Sequence, residues 1–179
     1  MGSGTGVSCS ITLNSVLTKE QKELYQNPDI IRKILNECKT IAIVGLSTDK
    51  QRASYFVASY MRSAGYRIIP VNPRADRILG ETCYPNLKSI PEPVDLVDIF
   101  RPSYDCLDIA QEAIAIKAKA VWLQLKIINE EAAELARKAG LLVAMDCCIK
   151  MEHGRYCGGL HEAGMNTEII SAQRIHRYV

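Results

Sequence analysis

A chain of 179 residues, 47% of them apolar, can bury one sizeable core, which sets the expectation of a single domain with short extensions. Its net charge of +2, with basic residues dispersed along the chain, argues against a dominant nucleic-acid surface but leaves room for a local anion site. No apolar run approaches the roughly 20 residues of a membrane span, and "MGSGTGVSCS" lacks a charged-then-apolar leader, so a soluble, cytoplasmic protein is expected.

Residues 1–27 read as a flexible extension; Gly6 stands where an N-myristoylation signal wants Ser or Thr. Asn27 and Pro28 are a cap and first-turn proline, and Ile30, Ile31, Ile34 and Leu35 keep helical spacing up to about Cys38. Short β-branched runs follow: "TIAIVG" from Thr40, "YRIIPV" from Tyr66, "DLVDIF" from Asp95, "AVWLQ" from Ala120 and "LLVAMD" from Leu141. Helical segments separate most of them: Ala53 to Ala64 before Gly65, Asp105 to Lys117, and Asn129 to Ala139 before Gly140. Between Val71 and Asp95 the prolines leave a wrapped connection with short extended pieces and one turn at Leu87 to Ile90. Parallel crossovers need helices, and continuous apolar runs fit strands buried on both faces. The expected fold is therefore α/β: a Rossmann-like, doubly wound, mostly parallel five-stranded sheet in a three-layer sandwich, spanning residues 28–157. Residues 158–179 read as a C-terminal arm.

In such sheets ligands sit outside the carboxyl ends of the strands, where strand order reverses. The first exit, "IAIVGLSTDKQRASY", keeps only Gly45 of the three glycines a dinucleotide fingerprint uses. Its loop offers Ser47, Thr48, Lys50 and Arg52 beside a helix start, a setting for phosphate as much as for a solvated connection. At the second exit, "VNPR" lacks the acid that an NAD site places on the ribose. Asn72 and Arg74 would instead suit a phosphorylated ribose, of NADP or of coenzyme A, with Asp76 as the nearest acid.

Together "IAIVGLS", "GYRIIPVNPR", "LGETCYPNLKSIPEPVDLVDIFR", "AIAIKAKAVWLQ", "INEEAAELARKAGL" and "MDCCIKMEHGR" resemble the small CoA-binding proteins related to the nucleotide-binding domain of the succinyl-CoA synthetase alpha subunit. The resemblance implies coenzyme A as ligand, with Gly45, Leu46, Ser47 and Arg52 at the phosphates and Asn72, Pro73 and Arg74 flanking the adenosine end. Phe100 and Arg101 would line the next wall, and Gln124 would close the site, with Trp122 as core. Two positions depart from the family pattern: Ala53 replaces a helix-opening proline, and "DCC" at Asp146, Cys147 and Cys148 replaces Asp-Arg-Cys, removing a cation.

Seven cysteines without framework spacing point to reduced thiols. In "DCCIKMEHGRYCGGLH" the Cys and His spacing is wrong for a zinc knuckle. Cys148 reads either as inert core or as a thiol placed to form a mixed disulfide with coenzyme A, aided by Lys150. His153 reads as a base, a phosphate ligand or a satisfied structural histidine. No nucleophile elbow, P-loop or H-E-x-x-H appears, so the expected function is non-catalytic binding or sensing of CoA or an acyl-CoA. An NADP-linked oxidoreductase or redox sensor, and the CoA-binding part of an acyl-CoA ligase completed by a partner subunit, are the alternatives. The expected partners are the small molecule and, as a candidate assembly, a homodimer; neither nucleic acid nor membrane is expected.

Overall fold

The computed structural model describes residues 17–157. Two helices open it, α1 (Lys19–Tyr25) and α2 (Pro28–Glu37), the second capped by Asn27, whose side chain accepts from the Asp29 N–H. Then come β1 (Thr40–Val44), α3 (Ala53–Ser63) and β2 (Arg67–Val71), followed by a small antiparallel hairpin of β3 (Arg77–Ile78) and β4 (Glu81–Thr82). The chain continues through β5 (Leu96–Ile99), α4 (Cys106–Ala115), β6 (Ala120–Leu123), α5 (Glu130–Lys138), β7 (Leu142–Met145) and α6 (Ile149–Tyr156).

The main sheet is parallel throughout, in the order β2-β1-β5-β6-β7. Ile41 lies beside both Ile68 and Leu96, so β1 is an inner strand, and the winding direction reverses between β1 and β5. Every residue of β5 and β6 is buried, as expected of strands covered on both faces. On one face Ile34, Leu35, Val57, Met61 and Ile149 pack over Ile41, Ile43 and Trp122. On the other, Tyr25, Ile109, Ala110, Ala133 and Ala136 pack over Ala42, Val97 and Val121, where the alanines of α4 and α5 let those helices approach closely.

The stretch expected to be flexible through residue 27 contains an ordered helix. Thr18 and Gln21 form a reciprocal capping box at the start of α1. Buried Tyr25 donates its hydroxyl to Glu134 at 3.0 Å, so the segment is tied down by packing as well as by its cap. The wrapped connection after β2 holds the expected turn at Leu87–Ser89 and a two-residue hairpin loop, with Leu79 at φ 56° and Gly80 at φ 80°. The C-terminal arm, residues 158–179, lies outside the described residues.

Helices α3 and α5 end on Gly65 and Gly140 in left-handed conformation. At the end of α4 that place is taken by Lys117, φ 58°, with the Ala118 N–H reaching back to the Ala113 carbonyl. A Cβ is disfavoured there, and Lys117→Gly is expected to stabilise the fold by about 0.5–1 kcal/mol, read as a raised urea midpoint with an unchanged m-value.

Candidate functional site: the crevice at the strand exits

The exits of β1 and β5 touch at the point where strand order reverses. Gly45 has φ 86°, and a Cβ built there would lie 2.9 Å from both the Phe100 carbonyl oxygen and Arg101 Cδ. Its N–H donates to the Val71 carbonyl at 2.9 Å, which joins the β2 exit to the same place. Leu46 is fully buried, so only its backbone can serve the crevice, and its carbonyl accepts from Asn72 Nδ2 at 2.8 Å.

Beyond Leu46 the loop is held by its own short polar side chains. Ser54 Oγ accepts from the Ser47 N–H at 3.1 Å, Ser47 Oγ from the Asp49 N–H at 3.0 Å, and Asp49 Oδ1 from the Gln51 N–H at 2.9 Å. The loop then enters α3 at Arg52, and no side chain caps that helix. Its first-turn N–H groups therefore stay available at the crevice, with the positive end of the helix dipole behind them. Arg52 lies 3.8 Å from Asp49 in an exposed pair that is easily exchanged for another anion. Despite the missing proline, α3 begins at Ala53 as expected.

Asn72 is a clamp. Besides its bond to Leu46, its N–H donates to the Tyr84 carbonyl and its Oδ1 accepts from the Arg74 N–H, each at 2.9 Å. Pro73 and Arg74 are exposed, and Arg74 has no ion pair among the described residues. At the β5 exit Phe100 is half-buried, and Arg101 is held by Asp105, Nε at 2.9 Å and Nη2 at 2.8 Å from its Oδ2. Gly45, Leu46, Ser47, Asn72, Phe100 and Arg101 are thus brought together, with Arg52, Pro73 and Arg74 at the rim.

Gln124 is placed differently from expectation. It is 3% exposed, and its Nε2 donates 2.7 Å to Asp98 Oδ1, so its amide faces inward beneath the exits and does not wall the crevice. Its partner Asp98 escapes a reading of "DLVDIF" as an apolar run. The signal was there: a carboxylate inside a strand whose two faces are both covered must find a partner. Burial pushes the Asp98 carboxyl up to about 7 against the pull of the Gln124 hydrogen bond, and its Oδ2 has no partner among the described residues.

At the last exit Asp146 adopts φ 57° and accepts the Lys126 N–H at 2.8 Å. Trp122, core as expected, donates Nε1 to the Cys147 carbonyl at 2.8 Å. His153 is buried away from the crevice, Nδ1 3.0 Å from the Tyr60 hydroxyl and its ring edge-on to Tyr66. Burial and then Lys39 lower its basicity, and the Tyr60 hydroxyl gives the ring a partner within the core.

Comparison with known proteins matches this architecture. The uncharacterized protein YneT of Bacillus subtilis is 42% identical over 130 residues, covering 72% of this chain and 96% of YneT. A hypothetical protein from Pyrococcus horikoshii superposes with a TM-score of 0.71 at 36% identity, covering 74% of this chain and 93% of that one. Acetate--CoA ligase [ADP-forming] II of Archaeoglobus fulgidus is 28% identical over 157 residues, which span 86% of this chain but only 22% of the ligase. The model of the CoA binding domain matches residues 39–154, from the residue before β1 into α6, and so takes in every strand exit of the crevice. By fold, crevice and sequence together, the chain belongs to the CoA binding domain family, whose relatives include portions of ADP-forming acetate--CoA ligases.

Proposed function

We propose that the protein binds coenzyme A or an acyl-CoA across the β1, β2 and β5 exits, as a non-catalytic binding or sensing module acting in the cytoplasm. The observation that carries this reading is the β2 exit. Where an NAD site presents a ribose-binding carboxylate, this chain has Asn72, its side chain committed to Leu46 and the Arg74 N–H. Arg74, without an ion pair among the described residues, follows it. A 3′-phosphorylated ribose meets a positive charge there, and the strand end itself carries an amide in place of the carboxylate. The pyrophosphate would lie against the uncapped start of α3, near Ser47 and Arg52.

Thermal stabilisation tests the reading. At one hundred times Kd a ligand adds about 2.7 kcal/mol, and CoA is expected to stabilise the protein more than 3′-dephospho-CoA does. Arg74→Ala is expected to make the two equal. Equal stabilisation of the wild type removes the role of Arg74, and a change in NADPH fluorescence on adding protein favours an NADP site.

The likeness to about a fifth of an acetate--CoA ligase favours one second reading, a CoA-binding part completed by a partner subunit. It requires ATP turnover by a co-purifying complex.

A further inference from the structure

Several features beside the crevice have no role in that reading. The chain leaves β7 at the same sheet edge through Cys147 and starts α6 next to α3. Cys148, half-buried and free, is the cap residue of α6, and its side chain makes no capping hydrogen bond to that helix. From α3, Phe56 stands 59% exposed, with Lys150 Nζ 4.1 Å from its ring centroid. Beneath them lies Asp98, level with Trp122 in the β5–β6 register and so on the face where Trp122 reaches the Cys147 carbonyl. Its Oδ2 is buried without a hydrogen-bond partner among the described residues. A thiol, a cation, an exposed ring and an unanswered acceptor thus converge between the starts of two helices.

We propose that Cys148 is an attachment site for coenzyme A, forming a mixed disulfide when the cofactor arrives as its symmetric disulfide. The proposal rests on the CoA reading above. The Cys148 sulfur attacks one sulfur of the CoA disulfide; a Cys148–CoA disulfide forms as the old S–S bond breaks. The second CoA leaves with the electron pair as a thiolate and takes up the proton that Cys148 gives up. One disulfide replaces another, so no further oxidant enters. The pantetheine arm suits the exposed neighbour: its methyl groups can cover the Phe56 ring.

Burial pushes the Cys148 thiol up. Reactivity therefore comes from holding the disulfide next to the sulfur, since a poorly ionised thiol reacts slowly with disulfides free in solution. Selectivity is the signature.

The test incubates the full chain with CoA disulfide or, in parallel, glutathione disulfide, and follows intact and peptide masses. One dithiothreitol-reversible CoA adduct is expected at Cys148, forming at least about tenfold faster than the glutathione adduct. It is expected to vanish in Cys148→Ser, to persist in Cys147→Ser and to slow in Phe56→Ala, an exposed position where folding is not at stake. Equal rates with the two disulfides, or an adduct confined to exposed Cys157, overturn the proposal. Thermal stabilisation by reduced CoA, measured on the wild type and on Cys148→Ser, separates the two readings. Stabilisation of both with no wild-type adduct overturns this proposal alone, whereas stabilisation of neither removes the CoA reading itself.

Discussion

Gly45→Ala is expected to destabilise the fold by about 2–4 kcal/mol and to abolish stabilisation by CoA. Two costs add at this position. The backbone is left-handed, which disfavours any Cβ, and that Cβ would sit 2.9 Å from the Phe100 carbonyl and from Arg101 Cδ. The arginine can swing away, but the carbonyl belongs to the chain that leaves β5, so relief means prising the two exits apart. Gly80 supplies the control. It has a similar φ of 80° with nothing within 4 Å of its built Cβ, so Gly80→Ala is expected to cost only the backbone strain, about 1–2 kcal/mol, and to leave CoA stabilisation intact. Urea unfolding with and without CoA reads both effects. Equal losses in the two variants would mean that the contact across the exits carries nothing.

The second large effect is a dependence on pH. The ordinary Asp value is 3.8, and burial holds Asp98 near 7 in the native protein. Between those values the native state binds a proton that the unfolded chain releases, so stability falls as pH rises from about 4 to about 7 and is level beyond. The gap corresponds to about 4 kcal/mol. Asp98→Asn removes the titration while keeping an acceptor for Gln124, and leaves a buried amide donor in place of Oδ2. It is expected to exceed the wild type in stability by about 2–4 kcal/mol at pH 8 and to match it near pH 4. Denaturant curves at pH 4, 6 and 8 would show this; a less stable variant at pH 8 would mean that the carboxylate is satisfied by a partner.

Much of this architecture is legible in the residues themselves. The strands announce themselves because runs such as "TIAIV" and "AVWL" are apolar on both faces, and Gly65 and Gly140 mark helix ends because only glycine takes that conformation cheaply. Helix α1 is harder: it is short and mostly polar, and its one local signal is the Thr18–Gln21 box. The crevice residues at the first two exits are legible because loop chemistry is local. Gln124 is not, since what decides its direction is Asp98, far away in sequence and brought next to it only by strand pairing. Asn72 shows the same limit. Its position at the strand end can be read, but the three bonds that make it a clamp depend on where Leu46 and Tyr84 come to lie.

The opening helices have a consequence for assembly. Tyr25 of α1 packs on one face of the sheet and Ile31 of α2 on the other, so the link between them passes around the outer side of β7. Gln26, in that link, donates to the Met145 and Asp146 carbonyls, 3.3 and 2.8 Å away. At the opposite border, β2 carries Pro70 and is bridged by Tyr84, whose N–H donates to the Pro70 carbonyl. Among the described residues, addition of a further strand meets an obstacle at the carboxyl-end part of both borders.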